Sequence, residues 1–484
     1  MEHLTWSGNL GAILNPMMLA ALVVFIISFL SNIALTIAGI RPGETVVNAD
    51  HTLSIVRTPS DYALMGMKYA VLLFLACCVI YIVGGIVQPD LEARGIIGSL
   101  GARFVPVWIA LIALFAVSIT FKRKLGLYGK LFDSPIGMVG FGLVMFWIFT
   151  AIFAGLIATH EPLSQISSIR NGTPGVPLPD PEDGEYAFYL LGADSLGRDV
   201  FSRMVYGAVS VLRIAPLATL FAFMVGISLG LPAGYLGGRI DTIITFIANL
   251  VLAFPVILLF YLLVTPEIQD SFIPIVMGGV LFIFPILFFV TLFNSRFHTQ
   301  PQLRNVLVGV TVVVGGWAYL SLLSDPDPES LFRPLPAAID GIDVPKNILI
   351  VFVSVVFVNS PTVFRIVRGL VLDVRTRDYV GAAQTRGEGP WYIMLWEILP
   401  NARGPLIVDF CLRIGYTTIL LGTLGFFGLG VSPESPDWGS TINEGRRLLT
   451  VYPHPPLPPA LALMSLVLGL NLLADGLREE SLKD

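Results

Sequence analysis

The chain is 484 residues long, 55% hydrophobic and only 13% charged, whereas a water-soluble domain carries roughly 25% charged residues. So little charge cannot coat a water-facing surface of this extent, which argues against a soluble globular enzyme and leaves lipid as the solvent for most of the chain. The net charge of −5 is too small to imply a nucleic-acid partner.

About 20 apolar residues cross a hydrocarbon core of about 30 Å. About eleven such runs follow one another, near 14–39, 69–87, 104–121, 136–159, 211–234, 243–264, 272–293, 303–323, 348–368, 404–430 and 458–476, which predicts an all-α polytopic membrane protein. The first follows Met1-Glu2-His3-Leu4, which has no basic n-region. It is too long for a signal-peptide core and is expected to stay in the membrane. Run 272–293 is interrupted by Pro274 and Pro285, so the pair 272–323 can also be read as one re-entrant hairpin. Two polar stretches break the pattern. Residues 161–210, with Pro174, Pro177, Pro179 and Pro181, read as an external loop leading into a helix. Residues 369–403 are arginine-rich and lie between two spans; a loop of that size is more often functional than idle.

Lys122, Arg123, Lys124 and Lys130 fall on one side of this topology with Arg365, Arg368, Arg375, Arg377 and Arg386. The opposite loops hold Asp180, Glu182, Asp183, Glu185, Asp325, Asp327 and Glu329. The positive-inside rule then places the N-terminus outside and the C-terminus in the cytoplasm.

Catalytic and metal chemistry find no foothold. Cys77, Cys78 and Cys411 have neither CxxC nor zinc-type spacing, and His51, His160, His298 and His454 are scattered. There is no GxxxxGK[ST] phosphate loop, so ATP is not expected to bind here in that way. Within the spans, Asp409 and Arg413 stand four apart and can pair on one helix face. They read either as a pathway group or as a structural ion pair. Asn249, Asn359 and Asn471 read as interhelical hydrogen-bonding groups, with Tyr261 and Tyr416 as weaker candidates for substrate contact. Gly226, Gly230 and Gly234 recur every fourth residue and predict a close helix approach; Gly422, Gly425, Gly428 and Gly430 do so less regularly. Asp194, Arg198, Asp199 and Arg203 lie before the fifth span, where Asp199 and Arg203 are expected to brace an amphipathic segment on the membrane surface.

Two segments carry a family resemblance. The first is Leu190-Leu191-Gly192-Ala193-Asp194-Ser195-Leu196-Gly197-Arg198-Asp199-Val200-Phe201-Ser202-Arg203, followed by Gly234-Tyr235-Leu236-Gly237-Gly238-Arg239-Ile240-Asp241. The second is Arg377-Asp378-Tyr379-Val380-Gly381-Ala382-Ala383-Gln384-Thr385-Arg386-Gly387, continuing to Ile398-Leu399-Pro400-Asn401. Together they resemble the C-type permease subunits of dipeptide/oligopeptide/nickel ATP-binding-cassette (ABC) importers, with an LGTDxxGRDxxSR entry, an AGYxGGxxD turn, and an EAAxxxG loop followed by ILPN. Ser435-Pro436-Asp437-Trp438-Gly439 and Glu444-Gly445-Arg446 fit the same pattern. The resemblance covers roughly residues 125–264 and 345–484. It departs at Gly381, which stands where the family has glutamate, so either the loop is held differently or a nearby acid, such as Asp378 or Glu388, compensates.

The resemblance implies a six-helix type I importer core at 125–484, with 1–124 as an N-terminal extension and 265–345 as an inserted helix pair, about five spans beyond the core. It makes 369–403 a cytoplasmic loop that couples to ATPases through Gly381, Ala382, Ala383, Gly387, Leu399 and Pro400, and makes Gly237, Gly238 and Asp241 a second cytoplasmic turn. Pro390 can start a short helix there, and Trp391, Tyr392 and Trp396 add amphipathic bulk. The implied partners are a homologous permease, two ABC ATPases, an extracytoplasmic substrate-binding protein and the lipid of a prokaryotic cell membrane. No cofactor is expected on this chain; ATP and magnesium belong to the partners. The cargo is expected to be di- or oligopeptides, with oligosaccharides or chelated nickel as alternatives, and a secondary transporter as the alternative from another class.

Overall fold

A computed structural model of the protein describes residues 3–43, 45–47, 53–55, 57–181, 185–269, 271–323, 346–429 and 435–481. In chain order the main helices are α1 (Gly11–Ile37), α2 (Pro59–Val87), α3 (Leu91–Arg103), α4 (Val105–Phe121), α5 (Pro135–Ile152), α6 (Val200–Leu236), α7 (Gly238–Leu252), α8 (Val256–Leu263), α9 (Ile273–Leu281), α10 (Ile283–Arg296), α11 (Pro301–Leu323), α12 (Lys346–Val374), α13 (Asp378–Thr385), α14 (Arg403–Phe426), α15 (Trp438–Arg446) and α16 (Leu457–Ser481). Among the described residues, ten helical segments are long and apolar enough to cross a membrane. The pair α7–α8, bent by 84°, supplies an eleventh if it counts as one span.

The break falls elsewhere than the prolines of 272–293 suggest. Helices α9 and α10 form one 24-residue apolar segment, Ile273–Arg296. Pro274 is the second residue of α9 and Pro285 lies in the first turn of α10, where a missing N–H costs no helical hydrogen bond. Pro255 instead follows the end of α7 and holds an extended backbone (φ −58°, ψ 120°). It also disfavours helix at the residue before it, so the chain turns there.

The chain folds as two compact units, Met1–Trp108 with Gly155–Phe201, and Ile109–Ala154 with Ser202–Asp484. In the first, α1 packs on α2, and α2 on α3. Tyr81 donates to Asn15 Oδ1 at 2.5 Å, and Asn15 donates to Ser7 Oγ at 3.0 Å. Strands β1 (Thr45–Val47) and β2 (Leu53–Ile55) pair antiparallel, as do β3 (Val176–Pro177) and β4 (Phe188–Tyr189). The N-terminal peptide is tied in: Leu4 N–H donates to the Gly175 carbonyl and Ile96 N–H to the Thr5 carbonyl, both at 2.9 Å.

Within this unit the Asp194–Asp199 motif is a buried fastener. Asp194 accepts the N–H groups of Leu196 (2.8 Å) and Arg198 (3.0 Å) and the Arg198 guanidinium (2.7 Å). Asp199 Oδ1 accepts Phe201 N–H (3.2 Å), and its Oδ2 accepts the Thr159 hydroxyl (2.9 Å). His160 Nε2 faces the Tyr186 carbonyl at 2.8 Å; a carbonyl only accepts, so Nε2 carries the proton. All four of Asp194, Arg198, Asp199 and Arg203 are buried, which corrects the expectation of a brace on the membrane surface. The carboxylates turn inward because backbone N–H donors are there to satisfy them. Burial, with Asp199, Glu185 and Asp194 nearby, pushes the Tyr189 phenol well above its ordinary value.

In the second unit a core drawn from α5, α6, α8, α9, α12, α14, α15 and α16 is built from Val, Leu, Ile, Ala, Phe260, Phe282, Trp147 and Trp438. Two helix pairs approach through glycine. A Cβ added at Gly226, Gly230 or Gly234 would fall 2.5–2.8 Å from Val363, Val367 and Val371 of α12, so the four-residue glycine repeat of α6 meets a four-residue valine repeat. A Cβ at Gly140 of α5 would fall 2.3 Å from the Leu473 backbone nitrogen of α16. Polar groups cross the same core. Asn359 Nδ2 donates to Thr417 Oγ1 (3.2 Å), which lies 3.3 Å from Thr219 Oγ1; Arg365 donates to Asn249 Oδ1 at 3.0 Å. These are the interhelical bonds expected of Asn359 and Asn249. Tyr261 and Tyr416 are exposed on this chain.

Candidate coupling hairpin

One end of the second unit gathers the turn after α6, the turn after α10, and the polar hairpin 375–402. Gly237 and Gly238 both hold positive φ (67° and 62°), so only residues without a Cβ reverse the chain there at no steric cost. Asp241, one turn later, takes both nitrogen arms of Arg368 from α12, the Nη2–Oδ2 contact at 2.6 Å, and the Thr245 hydroxyl at 3.0 Å. Arg375 donates to the Gly234 carbonyl (3.0 Å), and Gln384 donates to the Tyr235 hydroxyl (3.0 Å). The turn at Gly237–Asp241 and the hairpin are thus bonded to each other, which their separation in sequence did not reveal.

The hairpin has a buried root and a bare crest. Val380, Ala383, Ile393, Met394, Leu395, Ile398, Ala402 and Leu406 join Leu231, Val363, Val367 and Val371 in one apolar cluster. Gly381, Ala382, Gln384, Thr385 and Gly387 are exposed. A Cβ at Gly381 would meet nothing within 4 Å. Helix α13 therefore turns Ala383 inward and shows a low surface of Gly381 and Ala382 outward. Its end is closed by a Schellman motif. Gly387 (φ 81°) donates to the Gln384 carbonyl at 3.0 Å, and Glu388 N–H donates to the Ala383 carbonyl at 3.2 Å.

Past Pro390 the backbone widens into a π-helical stretch, Ile393–Ile398, before Leu399–Asn401 and the start of α14. Leu399 is half-buried against the cluster and Pro400 is exposed. The acid that holds Arg386 is Glu397, at 2.7 Å; Glu388 is 3.9 Å away and Asp378 is exposed in the first turn of α13. Glu397 was not singled out by the sequence, because its partner lies across the hairpin. Burial raises the Tyr379 phenol above its ordinary value.

Asp409 and Arg413 pair as their spacing predicts, Nε to Oδ2 at 2.7 Å, both largely shielded. Beside them an open apolar cleft of about 330 Å³ runs from Leu220 and Phe223 to Leu399, Arg403 and Phe410; neither Asp409 nor Arg413 lines it.

At the opposite end, α15 locks onto α6. Trp438 is fully buried, donates from Nε1 to the Met204 carbonyl (2.8 Å) and meets Trp147 edge-on at 5.1 Å. Asp437 caps α15 through the N–H groups of Gly439 and Ser440, each at 3.0 Å. Arg203 reaches Thr441 Oγ1 at 3.1 Å and Glu444 Oε2 at 3.4 Å. The segment Ser435–Arg446, read above only as fitting a pattern, is thus a structural clasp. Asp325, Asp327, Glu329, Glu182, Asp183 and Gly430 lie outside the described residues, as does His51.

The described residues thus combine membrane-length helices with a polar hairpin that has an apolar root and a bare crest. Residues 305–479 match the family model of the binding-protein-dependent transport system inner membrane component, and the apolar helices make the chain a multi-pass membrane protein. It is 28% identical over 352 residues to the dipeptide transport system permease protein DppC of Alkalihalophilus pseudofirmus, covering 73% of this chain and 87% of that one. It is 29% identical over 297 residues to the glutathione transport system permease protein GsiD of Pectobacterium atrosepticum, covering 61% and 73%. With DppC of Haemophilus influenzae the identity is 27% over 342 residues, covering 71% and 88%.

Proposed function

We propose that this chain pairs with a second, homologous permease to form the pathway of a peptide importer, and that two ABC ATPase subunits drive it by docking on the hairpin 375–402. The observation that carries this is the crest of α13. Gly381 and Ala382 stand bare on a helix whose other face is rooted in the membrane core through Val380 and Ala383. A force applied to that crest is delivered to α6, α12 and α14 because the root packs on all three. Arg368–Asp241 and Arg375–Gly234 add polar ties to the neighbouring turn. Peptide cargo rests on the names of the relatives, which are dipeptide and glutathione permeases.

In this reading the hairpin is cytoplasmic, the N-terminus is outside and the C-terminus inside. A substrate-binding protein delivers cargo from the far side, and ATP and magnesium stay on the ATPases. The complex purified from native membrane should contain a second permease and the ATPases. Deleting 381–390 should leave the chain in the membrane but strip the ATPases from it. A cysteine at Gln384 should react with a membrane-impermeant reagent only in inverted vesicles. Reaction in intact cells, or ATPases retained by the deletion, would overturn the reading.

A further inference from the structure

Helix α10 lies outside residues 305–479, which match the importer family model, yet it is fastened to the hairpin. Ser295, in the last turn of α10, accepts the Trp396 indole N–H at 3.1 Å and donates its own hydroxyl proton to the Leu292 carbonyl at 3.0 Å. The next residue, Arg296, lays its guanidinium over the same indole, 4.6 Å from the ring centre. Just beyond, His298 meets Tyr392 edge-on at 6.0 Å. One turn and more back along α10, Phe288 packs on the hairpin's apolar cluster. Trp396 sits in the π-helical stretch, a backbone form that concentrates at functional positions, and its neighbours Leu395 and Ile398 are buried. From α10 the packing continues to α11, and from α9 to α12.

We infer that Ser295, Arg296 and Trp396 are a positioning latch through which movement of the hairpin is passed into α10 and the helices packed on it, making α9–α11 a working part of the transporter. This rests on the hairpin being the ATPase socket. The latch has the right chemistry for the task. An indole N–H needs a partner when it is half-buried, and a planar guanidinium both stacks and attracts the ring face, which an ammonium does less well.

The test uses the intact complex in nanodiscs, with and without ATP plus vanadate, read by hydrogen exchange. In the wild type, nucleotide should alter exchange in both 375–402 and 283–296. In Trp396→Phe, which keeps the ring but loses the N–H, and in Arg296→Ala, the change at 375–402 should persist. At 283–296 it should shrink at least fivefold, with Arg296→Lys intermediate. An undiminished change at 283–296 in both variants, or none there in the wild type, would overturn the latch. No nucleotide-dependent change at 375–402 in the wild type would overturn the socket reading, and the latch with it.

Discussion

At the scale of single residues, the consequential positions are those where bulk or charge has no alternative place to go. Gly230 has Val367 2.8 Å from where its Cβ would be. Gly230→Leu should therefore separate α6 from α12 and lower stability in detergent by roughly 1–3 kcal/mol, the usual cost of overpacking, visible as a reduced melting temperature. Removing one member of the Asp409–Arg413 pair leaves the other charge shielded and unpaired. Asp409→Asn alone should cost about 3 kcal/mol, whereas Asp409→Asn with Arg413→Gln should recover much of that. Normal transport by the double variant would assign the pair to structure, and failed transport by a well-folded double variant to the pathway. Asp437 carries a pH term. Burial raises its carboxyl above the ordinary range against the pull of its capping N–H donors. The folded state then takes up a proton more readily than the unfolded one, between the ordinary carboxylate value and the raised one. This group's contribution to stability grows as pH falls through that window and is lost as pH rises. Asp437→Asn, neutral throughout, should flatten that part of the pH–stability curve, and Asp437→Ala should cost about 1 kcal/mol for the lost cap.

At the scale of elements, the hairpin was visible in the sequence because its polar, arginine-rich residues break an otherwise apolar pattern. Gly387 stood out in the sequence only as a small coupling residue, and the Schellman bonds show why it is glycine. Gly387→Ala should cost about 1 kcal/mol for placing a Cβ in the left-handed region and should raise hydrogen exchange at the end of α13. The glycine face of α6 was equally readable from its spacing, but its partner was not, since nothing local says which helix brings Val363, Val367 and Val371 against it. The bent pair α7–α8 breaks at Pro255, which did not stand out in the sequence, where Pro274 and Pro285 read as the interruptions. Pro274 and Pro285 fall in first turns where proline is harmless, while Pro255 falls between two helices. Glu397, Ser295 and Arg296 escaped notice because each becomes significant only by meeting a residue far along the chain.

At the scale of the whole molecule, the pairing of ends follows from contacts rather than from charge. Within the second unit, the turn at Gly237–Gly238, the end of α10 and the hairpin are bonded together, while α15 and the start of α6 are clasped at the other end. Labelling of cysteines placed at Gly237 and His298 should therefore share one sidedness with Gln384, and a cysteine at Glu444 should not; a split among the first three would break the arrangement. By itself the sequence determined the solvent of most of the protein, the approximate number and position of its apolar helices, and the polar segment between two of them. These follow from composition, run length and local turn chemistry, which are properties of neighbours in the chain. Which helices touch, which carboxylate holds which arginine, that Asp194 and Asp199 face inward, and that α10 grips the hairpin were decided by tertiary structure alone. Those outcomes depend on side chains distant in sequence competing for the same donors, ring faces and close approaches.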